Sequence, residues 1–235
     1  MPDIFDVLTE DHEEVKELLA NLEKGRPRRG ASGGQLAKRK KMVEQLIIEE
    51  SKHEALEEMH FWPVVRDKLP DGDKLAGKAT EQEQEAKKVL DKLDKLDSDA
   101  SQFEKLLAEF AESGRKHIQF EETQVWPNLQ KALTKKEATE IGKRFRDGKK
   151  TAPTRPHPGT PPRPEVLKAT GPAAAAADKA RDAVTGRGSD KRAGTTGQTK
   201  AELYKQAREL DIEGRSSMNK EELGRRVAAA QRKRK

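Results

Sequence analysis

The chain has 235 residues, of which 32% are hydrophobic and 38% are charged, and its net charge at pH 7 is +6. So small an apolar fraction can fill the core of one domain of ordinary size only if its residues are concentrated in one part of the chain. The absence of cysteine excludes disulfide bonds, iron–sulfur clusters and thiolate zinc sites.

Helical periodicity dominates residues 1–148. The first apolar stripe predicts a helix over residues 3–24 with Asp3 as its N-cap. Further long helices are predicted over residues 35–68, 74–96 and 101–132, and a shorter helix is predicted to begin at Thr134 and end near residue 147. Four long amphipathic helices joined by short connections predict an all-α fold, an up-down-up-down four-helix bundle.

The remainder of the chain differs in composition and charge. Residues 149–198 are rich in Pro, Ala, Gly, Thr and Lys and lack apolar periodicity, which predicts a disordered or semi-rigid linker. Residues 199–235 regain a helical pattern and predict a small helical module. Residues 1–148 carry a net charge of −5 and residues 149–235 one of +11, and this division predicts a polyanionic partner for the basic part.

Three of the predicted long helices turn histidine toward the core. His12 lies between Leu8 and Val15 on the apolar face of the first helix, and the second and fourth helices place His53 and His117 on theirs. Burying a polar side chain costs free energy unless another group satisfies it, so these positions are candidates for a metal site.

The second and fourth helices also share a repeated pattern. His53 is followed by Glu57 and then by Trp-Pro, and His117 is followed by Glu121 and then by Trp-Pro at the same spacing. Because residues four apart lie one turn apart on the same helical face, two such helices can deliver two imidazoles and two carboxylates to one point. Carboxylates can bridge two metal ions, and imidazole binds iron, zinc or manganese.

These motifs resemble those of the hemerythrin-like, or HHE cation-binding, family over about residues 1–132. His12, the His53/Glu57 pair and the His117/Glu121 pair match the motif positions of that family. The resemblance implies a non-haem di-iron centre in which Glu57 and Glu121 bridge the two irons, with manganese as an alternative metal. It also implies dioxygen or hydrogen peroxide as the small-molecule ligand.

The predicted third helix departs from the family pattern, because Glu83 stands where a histidine is usual. His60 adds a further candidate ligand, since Glu57-x-x-His60 has the spacing that ferritin-like di-metal bundles use. Glu50 is an additional candidate on the same helix. A ligand set rich in carboxylate favours oxygen or peroxide chemistry, or iron sensing, over reversible oxygen carriage.

The basic C-terminal segment resembles the helix–loop–helix unit at the N-terminus of the Rho termination factor and in SAP-like modules. The matching stretches are Lys200-Ala-Glu-Leu203-Tyr204, Leu210-Asp-Ile212, Gly214-Arg215-Ser216 and Lys220-Glu-Glu-Leu223. The resemblance implies weakly sequence-specific binding of DNA or RNA, and the alternative is a solvated charged face. The implied phosphate contacts are Lys200, Lys205, Arg208, Arg215, Lys220, Arg225 and Arg226.

No apolar run approaches the roughly 18–20 residues of a membrane span, and the first residues lack a signal-peptide pattern. The sequence therefore predicts a cytoplasmic, bacterial-type protein, nucleoid-associated if its tail binds DNA. The expected function is peroxide removal or iron sequestration by a di-iron bundle tethered to nucleic acid, and a catalase-like or oxidase-like activity is compatible with such a centre. The alternatives are a regulator whose metal occupancy alters nucleic-acid binding, and an iron storage or delivery module.

Overall fold

In the computed structural model, every regular element of the described residues is a helix. The structure describes residues 2–27 and 30–187 and, with gaps, residues 203–233. The chain divides into two compact units, Met1–Arg187 and Gly188–Lys235. The described helices are α1 (Ile4–Lys24), α2 (Gly33–Leu56), α3 (Trp62–Lys68), α4 (Gly72–Lys95), α5 (Phe103–Phe120), α6 (Trp126–Ala132), α7 (Lys135–Gly148), α8 (Pro164–Thr185) and α9 (Lys220–Lys233). None of these helices is long and apolar enough to cross a membrane.

Capping side chains set where three of these helices begin. Asp3, Ser32 and Thr134 each accept a hydrogen bond from the backbone N–H three residues on, and the side chain at that position accepts one in return from the backbone N–H of the cap. Each arrangement is a capping box, which satisfies amides that have no partner within the helix. The predicted caps Asp3 and Thr134 are confirmed, and Ser32 starts α2 two residues earlier than the apolar pattern indicates.

The first unit is built around four long helices. α1 packs against α2, α2 against α4, α4 against α5, and α5 returns to α1. This order agrees with the predicted four-helix bundle, and α7 packs along α1 as an additional helix. The apolar core falls into two clusters, one around the start of α1 and the other around its end. Between them lies a layer of buried polar side chains.

A π-helical turn precedes each Trp-Pro pair. Glu57–Phe61 links α2 to α3, and Glu121–Val125 links α5 to α6. In each turn the backbone N–H of the tryptophan, Trp62 or Trp126, bonds to the carbonyl five residues before it. The following proline has no N–H and its ring collides with the carbonyl four residues earlier, so a wider turn accommodates it. The predicted helices over residues 35–68 and 101–132 are thus continuous but locally widened.

The prediction of a disordered linker is wrong for residues 149–187. Residues Pro164–Thr185 form α8, and Leu167 and Ala175 of this helix are buried within the first unit. Pro164 occupies the first turn, the alanine run has the highest helix propensity, and Gly186 ends the helix with a φ of 70°. Residues 188–198 of the predicted linker lie outside the described residues.

Charged side chains hold this segment together and attach it to α4 of the bundle. Asp178 accepts hydrogen bonds from the backbone N–H groups of Thr154 and Arg155 at 3.0 and 3.1 Å. The Arg155 guanidinium lies 2.6 Å from Asp182 and 2.8 Å from Asp94 of α4. The buried residues of α8 have helical spacing, but only Leu167 among them is large and apolar, so the sequence shows no apolar periodicity and the pattern predicts a linker.

The second unit contains a small apolar cluster of its own. Its buried members are Leu203, Ala207, Ile212, Leu223 and Val227. Of the predicted phosphate contacts, Arg225 and Arg226 are exposed on α9, Lys220 begins that helix, and Arg215 donates a hydrogen bond to the carbonyl of Ile212 at 3.1 Å. Lys200, Lys205 and Arg208 lie outside the described residues.

Candidate metal centre

Six of the seven predicted ligands converge in the polar layer of the bundle. Five of them are between 0% and 5% exposed, and His117 is partly exposed. α1, α2, α4, α5 and the two π-helical turns each contribute one side chain. The six are His12, His53, Glu57, Glu83, His117 and Glu121.

These side chains form two overlapping groups. The ligand atoms of His12, His53 and Glu121 all lie within 4.8 Å of one another, and so do those of Glu57, Glu83, His117 and Glu121. Glu121 belongs to both groups, because its Oε2 lies 3.0 Å from His12 Nε2 and its Oε1 lies 3.2 Å from His117 Nε2. One carboxylate thus faces both groups with different oxygens, which is the arrangement a bridging ligand needs.

The atoms that point into this layer lack hydrogen-bond partners. Within the described part of the chain, the unpartnered buried atoms include His12 Nε2, His117 Nε2, Glu83 Oε2 and both carboxylate oxygens of Glu57 and Glu121. The short distances between them bring donor and acceptor atoms toward common points without hydrogen-bond geometry. Leaving so many buried polar atoms unsatisfied is costly, and metal cations would satisfy them together. The donor set of imidazoles and carboxylates therefore fits a metal centre.

The other ring nitrogen of each histidine has a polar partner. Nδ1 of each ring lies within hydrogen-bond distance of a side-chain oxygen from another helix. The pairs are His12 with Glu122 at 3.0 Å, His53 with Asp11 at 3.3 Å, and His117 with Gln82 at 3.0 Å. Such partners fix the orientation of each ring, so that Nε2 is free to bind a metal ion. Metal-binding histidines in other proteins are oriented in the same way, by an oxygen that accepts a hydrogen bond from the second ring nitrogen.

Sequence reasoning did not identify these partners. Each partner lies next to a predicted ligand in the chain, yet it contacts a histidine of a different helix. Adjacency to a ligand was the available signal, but only helix packing decides which ring each oxygen reaches. The indole of Trp62 donates a hydrogen bond from Nε1 to Oε1 of Glu83 at 2.5 Å and so holds that carboxylate in place.

Buried carboxyl groups dominate the electrostatics of the layer. Burial opposes charge on His117, but Glu121, Glu83 and Glu57 outweigh it and raise the pKa of the imidazole to about 10. Burial and the neighbouring Glu121 raise the pKa of Glu57, and burial together with Glu57 raises the pKa of Glu83 well above its usual range. These shifts have one cause, which is the crowding of carboxylates away from water. The layer is therefore suited to hold cations.

His60 lies outside both groups, so the geometry does not support it as a ligand. It is half-buried near Gly148, and burial together with Lys168 and Arg144 lowers its pKa. The π-helical turn explains the difference. It holds more residues than an α-helical turn, so three steps from Glu57 no longer return to the same face. Glu50 belongs to neither group and lines a cavity beside them.

Comparisons with known proteins agree with this architecture. Residues 3–129 match the family model of the hemerythrin HHE cation binding domain, and this range contains all six converging side chains. An uncharacterised hemerythrin-like protein of Schizosaccharomyces pombe is 30% identical over 183 residues, which are 77% of this chain and 86% of that protein. The crystal structure of a hemerythrin HHE cation-binding domain-containing protein from Mycobacterium kansasii has the same fold. It matches with a TM-score of 0.53 and 19% identity over 76% of this chain and 99% of that one.

Proposed function

The chain belongs to the hemerythrin HHE cation-binding family, and from this premise we propose that its bundle binds two iron ions. The observation that carries the proposal is the pair of ligand groups that share Glu121. His12 and His53 would hold one ion, and Glu57, Glu83 and His117 the other. Glu121 would bridge them, and Glu57 is the second bridging candidate because its Oε2 lies 3.2 Å from His53 Nε2. Manganese is the alternative metal, since it accepts the same donors.

The donor set supports oxygen or peroxide chemistry, or iron sequestration, rather than reversible oxygen carriage. Three glutamates stand beside three histidines, and anionic donors stabilise ferric iron relative to ferrous iron by Coulomb attraction. A bound iron pair supplies the exchange of electrons that peroxide removal requires. The protein's own contribution is to hold the donors. The Nδ1 partners orient the three rings, and Trp62 orients Glu83.

The metal content of the purified protein, measured with its absorption spectrum under air, tests this function. We expect two iron ions per chain and the near-ultraviolet and visible absorption of ferric iron, which zinc does not give. Decomposition of hydrogen peroxide by the iron-loaded protein would support peroxide removal, and iron retention without turnover would support storage or delivery. Reversible, stoichiometric uptake of dioxygen by the reduced protein would contradict the preference against oxygen carriage.

We further propose that the basic segment tethers the protein to nucleic acid. Residues 188–235, which form the second unit, contain 13 Lys and Arg against 7 Asp and Glu, a net charge of +6, and Arg225 and Arg226 are exposed side by side on α9. Phosphate contacts from such side chains supply affinity without reading base sequence. A tether of this kind would keep the bundle close to DNA or RNA. In the regulatory alternative, metal binding to the bundle would change the affinity of the basic segment for nucleic acid.

An Arg225→Gln/Arg226→Gln variant is expected to bind DNA more weakly than the unmodified chain, equally for unrelated sequences. Each lost phosphate contact should flatten the slope of log affinity against log salt by about one. Fluorescence anisotropy over a salt series measures both quantities. A Lys135→Gln/Lys136→Gln variant removes the same charge from exposed positions of α7 and should leave the slope unchanged.

Salt-insensitive binding, or equal loss in the two variants, would contradict the tether. Repeating the titration with metal-free and metal-loaded protein separates the alternatives. A constant affinity favours a passive tether, and a metal-dependent affinity favours the regulator.

A further inference from the structure

A small cavity reaches the candidate metal centre from the surface between α4 and α5. Its volume is about 20 Å³, measured as the space that the centre of a water molecule can occupy. A site needs about 10–15 Å³ by this measure to hold one water. The cavity therefore has room for a molecule somewhat larger than one water, such as a narrow molecule of two or three heavy atoms, and none for a branched organic molecule.

The walls of this cavity lead from solvent to the ligands. Ser113 is exposed at its outer end, beside the half-buried Gln82 and Ala86. His12, which is 1% exposed and has an unpartnered Nε2, lines its inner end. His117 also lines the cavity and has the most exposed side chain of the six converging residues, at 14%.

Gly114 occupies a particular place in this wall. It is buried on the inner face of α5, three residues before His117, and it lines the cavity. Glycine weakens a helix interior relative to alanine, so its presence here is not explained by helix formation. A Cβ at this position would lie 3.6 Å from the ring of Phe110, which is ordinary contact. An alanine would therefore fit, whereas a longer side chain would occupy the space that leads to the ligands.

We propose that this cavity is the entrance to the metal centre and that Gly114 sets its width. The inference rests on the proposed function and names the class of reactant that the site accepts. Molecules of the size of dioxygen or hydrogen peroxide pass, and alkyl hydroperoxides are excluded. Gly114 is a selectivity residue, since it touches the path of the reactant and none of the ligand atoms.

Azide binding to the iron-loaded protein tests the entrance, because azide is a narrow anion whose binding to ferric iron changes the absorption spectrum. In Gly114→Leu we expect azide association to slow by about tenfold or more, the scale of discrimination that added methylene groups produce in a tight pocket. Iron content and the spectrum before azide should not change. Gly114→Ala should show a smaller effect. Gly77→Leu makes the same substitution on α4, where nothing lies within 4 Å of the added Cβ, and should bind azide at the unmodified rate.

The unmodified protein is also expected to react with hydrogen peroxide and not with tert-butyl hydroperoxide. Equal rates of azide association in Gly114→Leu and the unmodified protein, at equal iron content, would contradict the proposed entrance but not the proposed iron site. If Gly114→Leu does not fold, Ala86→Leu narrows the opposite wall and carries the same expectation. An unmodified protein that holds no iron would instead refute the proposed function, and the entrance with it.

Discussion

A His53→Ala/His117→Ala variant is expected to lose its bound metal while keeping its helical fold. The two histidines belong to different ligand groups, so the double substitution removes a donor from each. Loss of a residue that only hydrogen-bonds to a metal ligand commonly weakens metal binding by about 10–100-fold, and loss of a ligand itself should weaken it further. Iron per chain after dialysis measures the loss, and far-ultraviolet circular dichroism measures the helix content.

His60→Ala is the matched control for this experiment. His60 lies on the same π-helical turn as Glu57 but outside both groups, so this variant should retain the metal of the unmodified chain. Full retention by the double variant would refute the proposed ligands, and metal loss in His60→Ala would restore His60 to the set. If the alanines prevent folding, His53→Asn/His117→Asn keeps a polar group in each place and carries the same expectation.

The bundle and its paired motifs could be predicted because they depend on local and periodic signals. Helical stripes fix which face of each helix is buried, and caps such as Asp3 and Thr134 fix where helices begin. His53 and Glu57 lie one turn apart in any helix, so their convergence with His117 and Glu121 follows once two such helices face each other. These features require no knowledge of the tertiary contacts.

The details that sequence reasoning missed depend on tertiary contacts or on small departures from regular helix. A π-helical turn at Glu57–Phe61 is enough to turn His60 away from the two ligand groups. The contacts of Asp11, Glu122 and Gln82 with the ring nitrogens come from the packing of different helices. Neither kind of feature changes the hydrophobic pattern from which the helices were predicted.

Residues 149–187 illustrate another limit. Apolar periodicity identifies segments that pack through hydrophobic faces, whereas the buried face of α8 combines one large apolar residue, Leu167, with small and acidic residues such as Ala175 and Asp178. A charged residue in a Pro-rich stretch has the same appearance in sequence whether it meets solvent or a partner. The order of this segment therefore becomes visible only when the bundle surface is known.

Removal of the metal is expected to lower the melting temperature of the first unit by about 10 °C. The metal-free layer buries the carboxylates of Glu57, Glu83 and Glu121 against one another, and their repulsion opposes folding. A ligand present at about 1,000 times its dissociation constant stabilises the folded state by about 4 kcal/mol. For a domain of this size each kcal/mol shifts the melting temperature by about 2–4 °C, which gives the expected change.

Calorimetry of the iron-loaded protein before and after chelation measures this shift, and the His53→Ala/His117→Ala variant supplies the control. If the shift comes from metal held by these groups, the chelator should leave the melting temperature of that variant unchanged. His60→Ala should respond to the chelator as the unmodified chain does, since its metal groups are intact. An equal response of the double variant would show that the chelator acts elsewhere. If the melting temperature of the unmodified chain does not change after chelation, the buried carboxylates are stabilised without metal.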